Sequence, residues 1–214
     1  MNKYDEEKKF WLYEKTRLEN LYESKPEWKE KYDNAMDAWL EEFQKPNYLY
    51  ALDCDKDTFK GMNMVEIGGG PFPSATAFNY SSIENIDPLM EFYVDHFHEF
   101  ESDEYWWSDD NAEDTVYLDN EFGAVISVNA IDHVDNFEAV AKELKRICKP
   151  SVKFAMHVHY HKATPCEPIE ITDERFAKAF DWVPNLKVHK RSRTKDLGQF
   201  TCNPDEEFVV WRNF

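Results

Sequence analysis

The sequence predicts an α/β protein: a mostly parallel sheet with helices on both faces, entered from a helical N-terminal segment. Three observations carry the prediction. From residue 61 onward, short apolar runs alternate with stretches of helical periodicity, the pattern of strands joined by crossover helices. One run, Phe122–Val128, is almost continuously apolar, as a strand buried on both faces must be. Another, Met62–Ile67, passes directly into glycines and a helix start, a turn at which backbone can approach a ligand closely.

The first 45 residues read as two helices. Phe10, Trp11, Tyr13, Leu18, Leu21 and Tyr22 recur at helical spacing among Glu and Lys. Ser24-Lys25-Pro26-Glu27 has the form of a capping box with proline in the first turn. The second helix sets Trp28, Tyr32, Met36, Trp39, Leu40 and Phe43 along one face and is expected to stop before Pro46. Asp53, Asp55 and Asp57 follow without the glycine and distal Glu of an EF-hand, so a solvated turn is expected. Met62–Ile67 and Ile83–Ile86 are the first two strands, each leading into a helix, Ser74–Tyr80 and Pro88–Phe100. A third strand is expected somewhere in 101–121. Phe122–Val128 is the fourth, and Phe137–Cys148 a helix with Val140, Leu144, Ile147 and Cys148 inward, ended by Lys149-Pro150. Val152–Tyr160 is the fifth strand. Thr172–Phe180 is a helix capped by Thr172 or Asp173, and Leu186–His189 with Phe208–Arg212 forms a closing antiparallel pair. The expected division is a helical cap over residues 1–60 and an α/β domain over 61–214.

Charge narrows the partners. The 214 residues carry a formal charge of −18, and residues 61–141 hold 18 acidic side chains and no Lys or Arg. Such a stretch is either a solubilising surface or one that faces a cationic ligand and avoids anions. This balance argues against nucleic acid as a partner, because phosphate contacts need a basic face. No apolar run approaches the ~20 residues of a membrane span, and the first residues lack a signal-peptide core. Cys54, Cys148, Cys166 and Cys202 are widely spaced with no C-x-x-C pair, so a reduced, cytoplasmic protein is expected.

The most informative stretch is Val65-Glu66-Ile67-Gly68-Gly69-Gly70-Pro71-Phe72-Pro73-Ser74, followed by a second strand ending at Asp87. A carboxylate there lies beside the glycine turn and can accept both hydroxyls of a ribose; as an alternative it caps the turn before Pro88. A dinucleotide fingerprint would need glycine where Pro73 stands, and a P-loop would need Lys and Ser/Thr after the last glycine. Pyrophosphate also fits poorly beside so many carboxylates, whereas a cationic nucleoside fits well.

With these residues the chain resembles the class I S-adenosylmethionine-dependent methyltransferases. Glu66-Ile67-Gly68-Gly69-Gly70 is similar to their first motif, and Asp87-Pro88-Leu89-Met90 to the ribose-binding position after strand two. Asp110-Asn111-Ala112-Glu113 resembles the segment that meets adenine, Phe122 through Asp135 strand four and its loop, and Glu143 through Pro150 the helix and turn entering strand five. The likeness spans about residues 61–160 in order. It departs at Phe72, where a third glycine is common, at Gly123 in place of an Asp, and at Ser151-Val152 in place of paired glycines. The resemblance implies a seven-stranded, mostly parallel Rossmann-like sheet and S-adenosyl-L-methionine as cofactor. It further implies that Glu66 steadies the turn or reaches the cofactor through water, and that Gly68, Gly69 and Gly70 admit its methionine part. Asp87 would hold the ribose, Asn111 and Ala112 would meet adenine, and Asn129 would lie near the transferred methyl.

Methyl transfer is an in-line displacement, so alignment dominates and a base is needed only for some acceptors. His133 is the candidate base, or else a packed loop histidine, with Asp132 to orient or replace it. His157, His159 and His161 alternate, so all three share one face of the strand. His159 joins the catalytic candidates, with sheet packing as the alternative; a metal site using two of these histidines and Cys166 lacks ligand spacing, so no metal is expected. Lys187 through Lys195 is the one basic cluster; it is a solvated loop, or it recognises an anionic acceptor. The expected activity is transfer of a methyl group to oxygen or nitrogen of a small molecule. The rival readings are a nicotinamide-dependent oxidoreductase and a non-catalytic cofactor-binding protein.

Overall fold

The computed structural model describes residues 3–97, 105–165, 167–193 and 203–214. Helix α1 (Lys3–Glu23) is followed by the short α2 (Pro26–Lys29) and by α3 (Ala35–Trp39), a π turn (Leu40–Gln44) and α4 (Lys45–Ala51) in one unbroken run. The α/β part follows as β1 (Asn63–Ile67), a 3-10 turn (Ser74–Ala77), β2 (Ser82–Ile86), α5 (Met90–His96), β3 (Tyr105–Ser108) and β4 (Phe122–Val128). It closes with α6 (Phe137–Ile147), β5 (Cys148–Tyr160), α7 (Asp173–Ala179), β6 (Lys187–Ser192) and β7 (Glu207–Arg212).

The described residues form a seven-stranded sheet in the order β3-β2-β1-β4-β5-β7-β6. Strands β1 to β5 run parallel, and β7 lies antiparallel to both β5 and β6. The expected seven-stranded, mostly parallel architecture is therefore present. Strand order reverses between β1 and β4, and ligands of such sheets bind at that switch point, outside the carboxyl ends of the strands.

Alternation along the strands sorts the core onto two faces. Val65, Val125 and Phe154 point to the face covered by Val140, Leu144 and Ile147 of α6 and Phe176 of α7. Met64, Ala124, Ile126 and Ala155 point to the other, against Leu52, Phe59 and Phe78. A third cluster joins Leu18 of α1, Trp28, Trp39 and Leu40 to Phe72 and to Met90 and Tyr93 of α5. The N-terminal helices thus pack beside the glycine turn.

Several elements differ from expectation. Ser24 makes no capping box: its hydroxyl donates back to the Leu21 carbonyl, and Lys25 precedes α2 without a side-chain cap. Asn34 caps instead, accepting from the N–H groups of Met36 and Asp37 at 2.9 Å. The helix does not stop before Pro46. A proline inside a regular helix clashes with the carbonyl four residues back, but here the Lys45 N–H reaches Leu40, five residues back, and the wider π turn carries the chain past it. The helix expected over 74–80 shrinks to one 3-10 turn, and β5 begins at Cys148, bulging before pairing resumes at Lys153. Residues 98–100 of the expected second helix lie outside the described residues. No helix among the described residues is long and apolar enough to cross a membrane.

Replacing Asn34 by Ala removes the Oδ1 that accepts both cap hydrogen bonds, and is expected to lower stability by about 1 kcal/mol in urea unfolding, with an unchanged slope.

Candidate functional site

The site grows from the end of β1. Gly68 takes φ +68° and donates its N–H to the Ile86 carbonyl at 2.9 Å. A Cβ there would lie 2.4 Å from that of Ala130, so only glycine fits between the β1 and β4 ends. Gly69 donates to Asn85 Oδ1 at 3.1 Å and Gly70, at φ +56°, to Asp87 Oδ2 at 3.0 Å. All three amide donors of the turn are therefore already engaged.

Glu66 sits beneath this turn, 1% exposed. Its carboxylate accepts from the Ser74 N–H at 2.7 Å, the Ser74 hydroxyl at 2.5 Å and the Ala75 N–H at 3.0 Å. It steadies the start of the 3-10 turn and does not line the cavity above. Burial pushes its carboxyl up to about 7, against the pull of these hydrogen bonds. Asp87 shares both uses foreseen for it. Its Oδ1 accepts from the Leu89 N–H at 2.9 Å, capping the turn, while the side chain also lines the cavity. Burial raises its carboxyl to about 7 as well.

Above the carboxyl ends of β1, β2 and β4 lies a cavity of about 990 Å³. Gly68, Gly69, Gly70, Asp87, Asn111, Ala112, Asn129 and His133 all line it. Asn111 is exposed at the rim and Ala112 buried. Their loop is held from behind by Glu143, which accepts from the Thr115 N–H and hydroxyl at 2.9 and 2.7 Å. Asn129, at φ +53°, ends β4 by donating its N–H to the His157 carbonyl, and its buried Oδ1 has no hydrogen-bond partner among the described residues.

The N-terminal helices supply the opposite wall, with Tyr4, Glu7, Phe10, Trp11, Trp39 and Phe43. Helix α1 is fastened to the α/β part through its first two turns. Lys3 Nζ donates to Asp135 at 2.5 Å and to the His133 carbonyl at 2.8 Å, and the Tyr93 hydroxyl donates to Glu7 at 3.1 Å. Trp11 lies edge-on to Tyr93 and Phe97. Among the described residues the cavity is lined by seven carboxylates (Glu6, Glu7, Glu14, Asp87, Glu113, Asp135, Glu167) against two cations, Lys3 and Arg17.

The catalytic candidates meet at one side of the cavity. Asp132 is fully buried, with Oδ2 3.1 Å from His161 Nε2. His133 Nε2 lies 3.8 Å from both Asp132 Oδ2 and Glu167 Oε1. His159 stands one layer back, outside the cavity lining, with Nε2 3.2 Å from Glu206 and Nδ1 3.8 Å from Glu167. Sequence reasoning missed Glu167, and named His161 only as one of three histidines on a strand face. Glu167 follows Cys166, which lies outside the described residues, in a loop with no periodicity to flag it. His161 extends the alternation of His157 and His159 just past the strand end. Its bond to Asp132 raises His161 to about 9, and His159 first, then the other histidines, hold Glu167 near 2.

The described part of the basic run, residues 187–193, contributes nothing to the cavity wall. His189 pairs with Asp53, and Arg191 with Asp173 and Glu207, on the outer strand β6. Residues 194–195 lie outside the described residues.

Comparison with known proteins agrees with this geometry. Residues 67–156 match the family model described as a methyltransferase domain. A search of curated proteins finds no sequence match. Among solved structures, a chain from the complex of the Haloferax volcanii Trm112 methyltransferase activator with a methyltransferase is similar at 16% identity and TM-score 0.58, covering 83% of this chain and 97% of that one. The YcgJ protein of Bacillus subtilis gives 12%, 0.56, 79% and 97%. Haemonchus contortus phosphoethanolamine N-methyltransferase 2, solved with S-adenosyl-L-methionine, gives 13% and 0.58, over 79% of this chain and 52% of that one. The solved structures bear out the expected fold, and the domain match over residues 67–156 is to a methyltransferase domain.

Gly68→Ala is expected to destabilise the protein by more than about 1–2 kcal/mol, from backbone strain plus the Ala130 clash, measured by denaturant unfolding. Glu66→Gln puts an amide N–H₂ where a carboxylate oxygen accepts, and should cost about 1–3 kcal/mol in the same assay.

Proposed function

We propose that this chain is a class I S-adenosylmethionine-dependent methyltransferase and transfers a methyl group to an oxygen or nitrogen of a small molecule held beneath its N-terminal helices. The observation that carries this reading is the state of the glycine turn. Its three N–H groups donate within the protein, and the start of the following 3-10 turn is filled by the Glu66 carboxylate. A pyrophosphate would find no free donors there and an acidic wall opposite. A nucleoside bearing a sulfonium finds complementary charge.

Bound cofactor supplies a methyl group on a cationic sulfur, activated toward a lone pair approaching in line with the breaking C–S bond. The residues of the chain then have separate tasks. Asp87, fixed by Gly70 and Leu89, keeps lone pairs for the ribose hydroxyls. Asn111 and Ala112 flank the adenine, Gly68–Gly70 leave room for the methionine part, and Asn129 lines the same space. His133 takes a proton from a hydroxyl acceptor as the new C–O bond forms, backed by Asp132 and Glu167. Residues 1–60 act as a cap that completes the acceptor side of the cavity, and 61–214 as the catalytic domain. The volume, at the upper end of the roughly 300–1,000 Å³ usual for ligand sites, suits a nucleoside and a small acceptor together. The acidic lining favours an acceptor that is neutral or cationic.

Calorimetric titration tests this. S-Adenosylmethionine and S-adenosylhomocysteine should bind wild type with micromolar affinity, NADH should not, and Asp87→Ala should weaken both by tenfold or more. NADH binding without the other two would overturn the reading. Because the Asp87 carboxyl titrates near 7 and accepts best when ionised, cofactor affinity should strengthen as pH rises through about 7. Asp87→Asn should flatten that dependence, as followed by titration across pH 6 to 8.

A further inference from the structure

We propose that Asp132, His159, His161 and Glu167 form a binding site for one divalent first-row metal ion of the zinc type, set in the cavity wall. The proposal does not rest on the methyltransfer reading, and it reverses the expectation of no metal drawn from ligand spacing. One ligand atom from each of the four residues lies within 4.8 Å of the others. Tetrahedral zinc with bonds of about 2.0–2.2 Å holds its ligands about 3.4 Å apart, so small side-chain rotations close the set.

The hydrogen bonds around the histidines point inward. The outer nitrogen of His161, Nδ1, lies 2.7 Å from the Lys162 carbonyl, which can only accept, so that nitrogen carries the proton. This leaves Nε2 toward Asp132. The outer nitrogen of His159, Nε2, lies 3.2 Å from the Glu206 carboxylate, which leaves Nδ1 toward Glu167 at 3.8 Å. Ligating histidines bind in this manner: the far N–H is given to a carbonyl or carboxylate, and the near lone pair is aimed at the ion.

The centre of the cluster is also short of positive charge. Asp132 is wholly buried, and its Oδ1 has no hydrogen-bond partner among the described residues. A buried carboxylate facing a histidine lone pair needs either a second proton on that histidine or a cation between them. Two imidazoles and two carboxylates suit zinc, cobalt or ferrous iron better than calcium or magnesium. Glu167 is the member of the set that lines the cavity.

The test uses the full chain stripped with a chelator, with zinc and cobalt as probes. Titration calorimetry should show one equivalent of Zn²⁺ bound to wild type at micromolar affinity or better. Co²⁺ should give visible absorption of a low-coordinate nitrogen–oxygen site. The double variant His159→Ala/His161→Ala should lose at least 100-fold in affinity and the cobalt spectrum. Glu206→Gln, at a residue that meets the cluster through the outer nitrogen of His159 and otherwise binds Asn203, should lose about 10–100-fold. Glu167→Gln, at a half-buried loop position, keeps the test decisive if the histidine variants fail to fold; it should weaken zinc binding tenfold or more while the metal-free protein still unfolds in one cooperative thermal transition. No zinc binding to wild type at millimolar metal would overturn the proposal, since His161 would then simply carry two protons. Unchanged affinity and spectrum in Glu167→Gln would overturn it as well. Asp87→Ala should bind zinc normally, which separates this result from any failure of cofactor binding.

Discussion

Two buried carboxylates organise the edge of the sheet where ligands bind. Glu66 stands at the end of β1 and draws in the Ser74 and Ala75 amides, so the chain must turn sharply after three glycines. Asp87 stands at the end of β2 and holds Gly70 from the other side. Between them the turn is tied to both neighbouring strands, with Gly68 pressed against Ala130 beyond β4. A buried carboxylate is costly unless hydrogen-bonded, and here the donors are the backbone amides whose positions define the cavity floor. Stability and site geometry therefore rest on the same bonds.

The occupied turn also sets the electrostatics. Free amides at a strand–turn–helix junction would attract phosphate; once they are spoken for, the remaining field is that of the acidic side chains around the cavity. Helix α1 adds three of these, Glu6, Glu7 and Glu14, to those of the α/β part. The uneven charge of the chain is thus partly a cavity property and more than a solubilising surface.

The cluster of His159, His161, Asp132 and Glu167 forms where the ends of β4 and β5 meet the loop after β5. Parallel neighbours bring residues of widely separated segments to one edge: Val128 lies beside His157 in the sheet register, which carries the residues after each strand to the same side. The loop bearing Glu167 folds back over that edge through the Ile169 N–H, which donates to the Asp132 carbonyl.

Much of this was legible in the chain alone. The period of the apolar residues marked six of the seven strands, because a strand buried on both faces must be apolar throughout, and the glycine run marked the turn because only glycine tolerates its left-handed backbone. Asp87 followed from its place at a strand end. Local pattern failed where the decisive partner was distant. Pro46 announced a helix end, yet the π turn before it let the helix continue. The third strand, short and acidic at its flanks, carried no clear period. The contact of Lys3 with Asp135 spans 132 residues and that of Asp132 with His161 spans 29. Which helix walls the cavity, and which carboxylate faces which histidine, depends on the closing of the whole sheet. The sequence by itself determined six of the strands and the glycine turn, since each is a matter of burial or backbone freedom within a few residues. The tertiary structure alone decided the roof and the histidine–carboxylate cluster, because these arise only when remote segments are packed side by side.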